Sequence, residues 1–256
     1  MSLSENSHRF SDCEASNRGN GPISLHVPAT AEIVLEGEIP PRIREPEGPF
    51  GEYTGMGPAG NEPVFVIKCM TFRNDPLFQC FISQRPPSES SCIRGVGGEW
   101  PLYKHLKYTL NLPIRDVRLK ETGGSGAYVV VSMTKQFPGQ VKQAMYGIWS
   151  LRTGFGKITV IVDDDIDIRD DFAIDWALSW RVRPDKDVYI ETDVQAVGFD
   201  PSPALPSVPQ HDPIRRVGSR IAIDATKKHD FPAVALPPKE HLDPVSSRWE
   251  EYGFQS

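Results

Sequence analysis

The sequence predicts an α/β protein, α+β over its whole length, and three observations carry that expectation. From about residue 90 apolar strand-like runs alternate with helix-patterned segments, as in a layered α/β domain built around a largely buried sheet. Before that point the chain reads only as strands and turns. The composition, 39% hydrophobic and 24% charged over 256 residues with a formal net charge of −6, suits a globular chain with room for one large or two small domains.

Taken in order, residues 1–22 are rich in Ser, Asn, Gly and charge and read as a disordered tail. Strands are expected at Ala31–Leu35, Pro63–Phe72 and Leu77–Ile82, with turns at Asn74-Asp75-Pro76 and Arg85-Pro86-Pro87. Three or so strands make a doubtful sheet or barrel on their own, because their edges have nothing to pair with. A helix is expected over Trp100–Leu110, a strand over Ala127–Ser132 and a helix over Gln140–Ser150. Lys157–Val162 reads as a short apolar strand, Asp171–Trp180 as a helix and Asp187–Glu191 as a strand. Beyond residue 200 the chain is Pro-rich and reads as mostly extended, ending in an amphipathic piece at Pro244–Tyr252 that packs on this or a neighbouring subunit.

Composition also excludes some functions. The acidic balance argues against a general nucleic-acid binder, which needs clustered Lys and Arg. No apolar run reaches membrane-spanning length and no signal peptide opens the chain. The four cysteines form no CxxC or Cys/His set and there is no Asn-x-Ser/Thr site, so reduced thiols in a cytoplasmic protein are the plain reading.

The most informative stretch is Glu47-Gly48-Pro49-Phe50-Gly51-Glu52, continued by Tyr53-Thr54-Gly55. Pro49 and the glycines preclude a helix interior, so two carboxylates five residues apart stand on a stiff loop, with Phe50 expected as the apolar anchor beneath them. A carboxylate pair beside apolar surface is a recurring proton donor, because desolvation and a like charge both raise a carboxyl pKa. The plain alternative is a pair of solvated loop charges.

Other motifs weigh less. Asp163-Asp164-Asp165-Ile166-Asp167 fails as a calcium loop, since Ile168 stands where Gly is needed and Ile174 where Glu is needed. It reads instead as an acidic loop ending a strand, with Asp170 or Asp171 capping the next helix. Gly95-Val96-Gly97-Gly98 and Gly123-Gly124-Ser125-Gly126 do not complete a dinucleotide fingerprint, and the six histidines lack ligand spacing. Arg94 and Arg152 read either as surface ion pairs or as anion contacts, for a substrate carboxylate and a cofactor phosphate.

Several segments together resemble the UbiD family of reversible (de)carboxylases that use prenylated flavin mononucleotide. They are Ala31–Gly37, Glu47–Gly55, Pro63–Thr71 with Arg73 and Asp75, Val162–Asp167 and Trp176–Leu178, in family order from about residue 27 to 230. The resemblance implies the C-terminal half of a UbiD-like fold. Its parts are a tail at 1–24, the second part of a flavin-binding split β-barrel at 25–90, a three-layer α/β domain at 91–235 and a packing segment at 236–256. Carried over by residue, Glu52 is the acid that protonates carbon after CO2 leaves, and Glu47 is its partner in a Glu–Arg–Glu network. Tyr53 and Arg94 face the substrate, and Arg152 lies near the flavin phosphate.

The family's N-terminal half has no counterpart in residues 1–24. The resemblance therefore implies that prenylated FMN, with Mn2+ and K+, is held mainly by a complementary N-terminal-half subunit in a higher-order hetero-oligomer. The substrate implied is a small aromatic or α,β-unsaturated acid, with no nucleic acid and no membrane among the partners. The alternative is a non-catalytic scaffold or oligomerisation subunit of such a complex.

Overall fold

The computed structural model describes residues 9–10, 27–28, 30–52, 54–56, 60–151, 155–196, 200–203, 217–233 and 235–253. Its elements run β1 (Arg9–Phe10), β2 (Ile33–Glu38), β3 (Arg44–Glu47), β4 (Gly51–Glu52), β5 (Gly55–Met56), β6 (Gly60–Pro63), β7 (Val66–Phe72) and α1 (Glu89–Lys104). They continue β8 (Ile114–Leu119), β9 (Tyr128–Met133), α2 (Gln140–Leu151), β10 (Ile158–Asp163), α3 (Asp171–Arg181), β11 (Val188–Gln195), β12 (Val217–Ala225) and α4 (Lys239–Ser246).

The second half is a five-stranded sheet ordered β11-β12-β10-β9-β8. The three central strands are parallel, and β8 and β11 close the edges antiparallel. Both faces of the centre are covered, which explains its Val/Ile runs. On one face Val129, Val131 and Met133 of β9 and Ile161 of β10 pack with Leu102 and with the Val141, Ala144, Met145, Ile148 and Trp149 stripe of α2. On the other face Val130, Val160 and Val162 pack against Ile174 and Ala177 of α3 and against Ile166 and Ile168. The alternation of strand residues between the two clusters follows from the period of two. The result is three layers, helix–sheet–helix.

The sequence missed two strands of this sheet. β12 occupies a central position in a region read as merely extended, because its sequence VGSRIAIDA lacks a clean apolar run. β8 was unread because IRDVRL is half charged, its buried Ile114, Val117 and Leu119 alternating with solvated residues. α1 begins well before the expected Trp100. Ser88 caps it, accepting from the Ser91 N–H while Ser91 Oγ accepts from the Ser88 N–H. Its glycines allow close packing rather than a break: a Cβ on Gly98 would lie 2.6 Å from Leu119 Cδ1. Past Lys104 the chain continues as a π-helical turn, His105–Thr109.

The first half is built differently. β7 is the centre of a three-stranded antiparallel sheet between β1 and β2, while β3–β6 and β4–β5 are separate two-stranded ribbons. β1 lies inside the segment expected as a loose tail, and its two residues pair with β7, Arg9 opposite Phe72 and Phe10 opposite Thr71. The expectation of four reduced thiols is also corrected on this strand: Cys69 is disulfide-bonded, its partner lying outside the described residues, whereas Cys80 and Cys92 are free thiols. Leu77–Ile82, expected as a strand, has no regular structure. Among the described residues every buried apolar side chain of the core lies at Leu102 or beyond, so this β block has no apolar core of its own. No helix among the described residues is long and apolar enough to cross a membrane.

Candidate functional site

Glu47 ends β3, opposite Gly60 of β6, and its side chain is exposed. The chain then turns through Gly48, whose φ of 79° is the left-handed geometry that glycine tolerates, and through a cis Gly48–Pro49 bond. Glu52 follows in β4, opposite Gly55 of β5, and is half-buried. The two carboxylates therefore flank one short connection, each on its own ribbon. Neither forms a hydrogen bond or ion pair with another described residue. Phe50 is 55% exposed, which corrects the expectation of an apolar anchor buried beneath the loop.

Contacts tie the acid loop to the start of α1. A Cβ on Gly51 would lie 3.7 Å from the Ser83 carbonyl oxygen, so β4 runs beside the chain just after Ile82. Ser90 Oγ donates to Ser83 Oγ at 3.1 Å, which joins that chain to the first turn of α1. Arg94, one turn further along α1, is exposed. Tyr53 and Arg152 lie outside the described residues.

The acidic motif after β10 is an ion network. Arg181, 3% exposed at the end of α3, grips Asp165 with both terminal nitrogens at 2.8 Å and reaches Asp163 at 3.4 Å. Lys227 adds its N–H to Asp163 at 2.5 Å and its Nζ to Asp165 at 2.6 Å. The Arg181 hydrogen bonds hold the Asp165 carboxyl down at about 2. Burial pushes Asp163 the other way, above the ordinary aspartate value. Asp170 caps α3, accepting from the Phe172 N–H at 2.9 Å, as the sequence predicts. Among the described residues no group of three or more His, Cys, Asp or Glu could hold a metal ion.

A second carboxylate cluster went unread. Glu121 Oε1 accepts from the Ser88 N–H at 3.1 Å, Ser91 Oγ at 2.7 Å and Cys92 Sγ at 3.3 Å. The serine bond foremost lowers the Glu121 pKa, and Glu121 in turn raises that of the Cys92 thiol. The run Ser88-Glu89-Ser90-Ser91 was the available signal, since closely spaced serines mark helix starts.

The two parts of the fold, the β block and the three-layer α/β domain, correspond to two matched domains of one carboxy-lyase family. The 3-octaprenyl-4-hydroxybenzoate carboxy-lyase Rift-related domain matches residues 17–86, and the C-terminal domain of the same carboxy-lyase matches residues 92–225. The chain belongs to the UbiD family.

Among solved structures it is similar to the UbiD-class enzyme HmfF from Pelotomaculum thermopropionicum in complex with FMN. The identity is 30% and the TM-score 0.69, over 86% of this chain and 48% of that one. An evolved dimeric form of HmfF was solved with prFMN. Vanillic acid decarboxylase ShVdcCD from Sedimentibacter hydroxybenzoicus, in its closed form, matches at 27% identity and a TM-score of 0.68, over 88% of this chain and 47% of that one. The apo 3,4-dihydroxybenzoic acid decarboxylase AroY of Klebsiella pneumoniae, 22% identical with a TM-score of 0.64, shares the fold over 83% of this chain and 47% of its own. The chain spans about half the length of these structures.

Proposed function

We propose that this chain is a subunit of a heteromeric UbiD-type decarboxylase, contributing Glu52 and Glu47 to an active site completed by a partner polypeptide. The observation that carries the reading is the acid pair on a β block whose described residues include no buried apolar side chain. The substrate class is an aromatic or α,β-unsaturated carboxylic acid, and the direction can be decarboxylation or carboxylation.

In this reading the C–CO2 bond breaks and its electron pair stays on carbon. Glu52, carrying a proton, delivers it to that carbon and is reprotonated from solvent. Glu47, at the other end of the Gly48–Gly51 connection, would be the second acid of the same site. Tyr53 and Arg94 would line the substrate and Arg152 would approach the flavin phosphate. In this reading prenylated FMN, with Mn2+ and K+, is held mainly by the partner, and the flavin when bound would stabilise the developing carbanion. The self-contained core of the α/β domain supports a second reading, a scaffold subunit that keeps the acid loop without using it.

The test is Glu52→Gln in the reconstituted, flavin-containing complex. Turnover should fall by about 10²–10⁴-fold with assembly and flavin content unchanged, since the amide cannot donate the proton. Glu47→Gln should also lower turnover, again with assembly and flavin content unchanged. Near-normal turnover by Glu52→Gln, in a complex with no other catalytic subunit, would make the scaffold the better reading.

A further inference from the structure

We infer that the outer face of α1 is a self-docking surface, on which α1 of a second copy of this chain packs antiparallel about a two-fold axis. The inference stands apart from the subunit reading, because α1 packs into the α/β domain through Leu102 and the contact needs neither flavin nor partner polypeptide.

Three observations carry it. The first is the division of the helix into two faces. Ser91, Gly95 and Leu102 are buried, whereas Glu89, Ile93, Val96, Gly97, Trp100 and Lys104 are exposed and fall within an arc of about 100° on the opposite side. Ile93 is 60%, Val96 80% and Trp100 61% exposed, so the middle of this stripe is apolar and open. Trp100 is already held in place by stacking on Tyr103, with ring centroids 5.9 Å apart, which suits it as a rigid anchor.

The second observation is Gly97. Glycine weakens a helix interior relative to alanine, so each one there calls for a reason. Gly95 and Gly98 have theirs within this chain: a Cβ would lie 3.2 Å from Ser125 Oγ at the first and 2.6 Å from Leu119 Cδ1 at the second. At Gly97 a Cβ would meet nothing within 4 Å. A bare backbone at the centre of an exposed apolar stripe lets another helix approach closely.

The third observation chooses the occupant, because the stripe is its own complement. Turned about a two-fold axis level with the Val96–Gly97 bond, it maps onto itself. Val96 and Gly97 of both copies meet at the crossing, Ile93 lies beside Trp100 of the second copy, and Glu89 stands level with its Lys104. Both charges are available. Lys104 forms no ion pair with a described residue, and Glu89 engages only Oε2, which accepts from the Ile82 N–H at 2.9 Å. A parallel pair would instead set Glu89 against Glu89 and Lys104 against Lys104. Six residues a side fall short of the roughly 20–30 of a standard interface, so the dimer is a reversible one.

Sedimentation equilibrium of the full chain, with circular dichroism to follow folding, tests this. Gly97→Leu fills open space in the lone chain and replaces a poor helix former, so its thermal midpoint should hold or rise while self-association weakens at least about tenfold. Glu89→Lys and Lys104→Glu should each weaken association by a similar factor. The doubly reversed chain should return to within about threefold of the parent, since acid again meets base. In a Cys80→Ser, Cys92→Ser background, Val96→Cys should give a disulfide-linked dimer on mild oxidation, because the axis brings both copies of residue 96 together. A parent chain that stays monomeric, or a charge-reversed double variant that fails to recover, would overturn the inference. Association unchanged in every variant, with no Val96→Cys dimer, would place it on the β block and overturn the inference as well.

Discussion

Asp163 and Asp165 stand two residues apart on one loop and titrate in opposite senses. Asp165, held at about 2 by Arg181 against an ordinary value of 3.8, stabilises the fold fully above about pH 4. That contribution is lost as the pH falls from 4 towards 2, when the native carboxylate must accept a proton. Asp163, raised by burial, behaves inversely: its ionised form costs the fold at neutral pH, and protonation relieves the cost. Urea midpoints measured across this range should show a loss of stability between about pH 4 and about pH 2. Asp165→Asn should flatten that slope, whereas Asp163→Asn should leave it in place. An unchanged slope in Asp165→Asn would show that other carboxylates carry the acid sensitivity.

At the scale of elements, the same network fastens α3 to β10 and to the chain after β12. Arg181 is buried at the last turn of α3, under the Trp176 ring. Replacing it with Met keeps much of the stem but strips Asp163 and Asp165 of their shared cation. The expected cost is about 3 kcal/mol, at the low end for breaking a buried pair because Asp165 remains partly exposed. Adding Asp163→Asn should recover part of it, read from denaturant unfolding of the double variant. A cost below about 1 kcal/mol for Arg181→Met would reduce the network to surface decoration.

How much of this was legible follows from the kind of signal each element carries. Buried central strands such as β9 and β10 announce themselves by unbroken Val and Ile, and α2 by its apolar stripe. β12 hides because Gly218, Ser219 and Arg220 interrupt it, and only its place between β10 and β11 makes it central. α1 hides behind glycines that serve packing. In the site, the acid loop was legible from residue chemistry. Its lack of cover at Phe50, the burial of Arg181 and the convergence on Glu121 depend on tertiary neighbours that no spacing encodes.

Across the whole molecule the two halves differ in self-sufficiency. The sheet domain has a buried apolar cluster on each face, although Val96, Phe172 and Trp180 face outward, while the described β block presents Leu35, Ile39, Ile67, Met70 and the 77–82 segment outward with no such cluster. Its β3–β6 ribbon even sets Glu45 opposite Glu62, a like-charge pair that works against a two-stranded ribbon standing alone. Expressed by itself, the chain should be colourless and should associate with concentration, as size-exclusion chromatography with light scattering would show. On the subunit reading, co-expression with a complementary half should give one species that survives dilution to low micromolar, as expected of permanent interfaces above about 2,000 Å². Two stable species recovered on dilution would speak against an obligate pair.

The missing core of the β block carries a further consequence for supply. On the subunit reading, chain made in excess of its partner would display the same apolar side chains that chaperones and proteases read as damage. Its lifetime would then be set by the partner's abundance rather than by its own sheet domain. On that reading, balanced synthesis of the two polypeptides would be a condition for accumulating either.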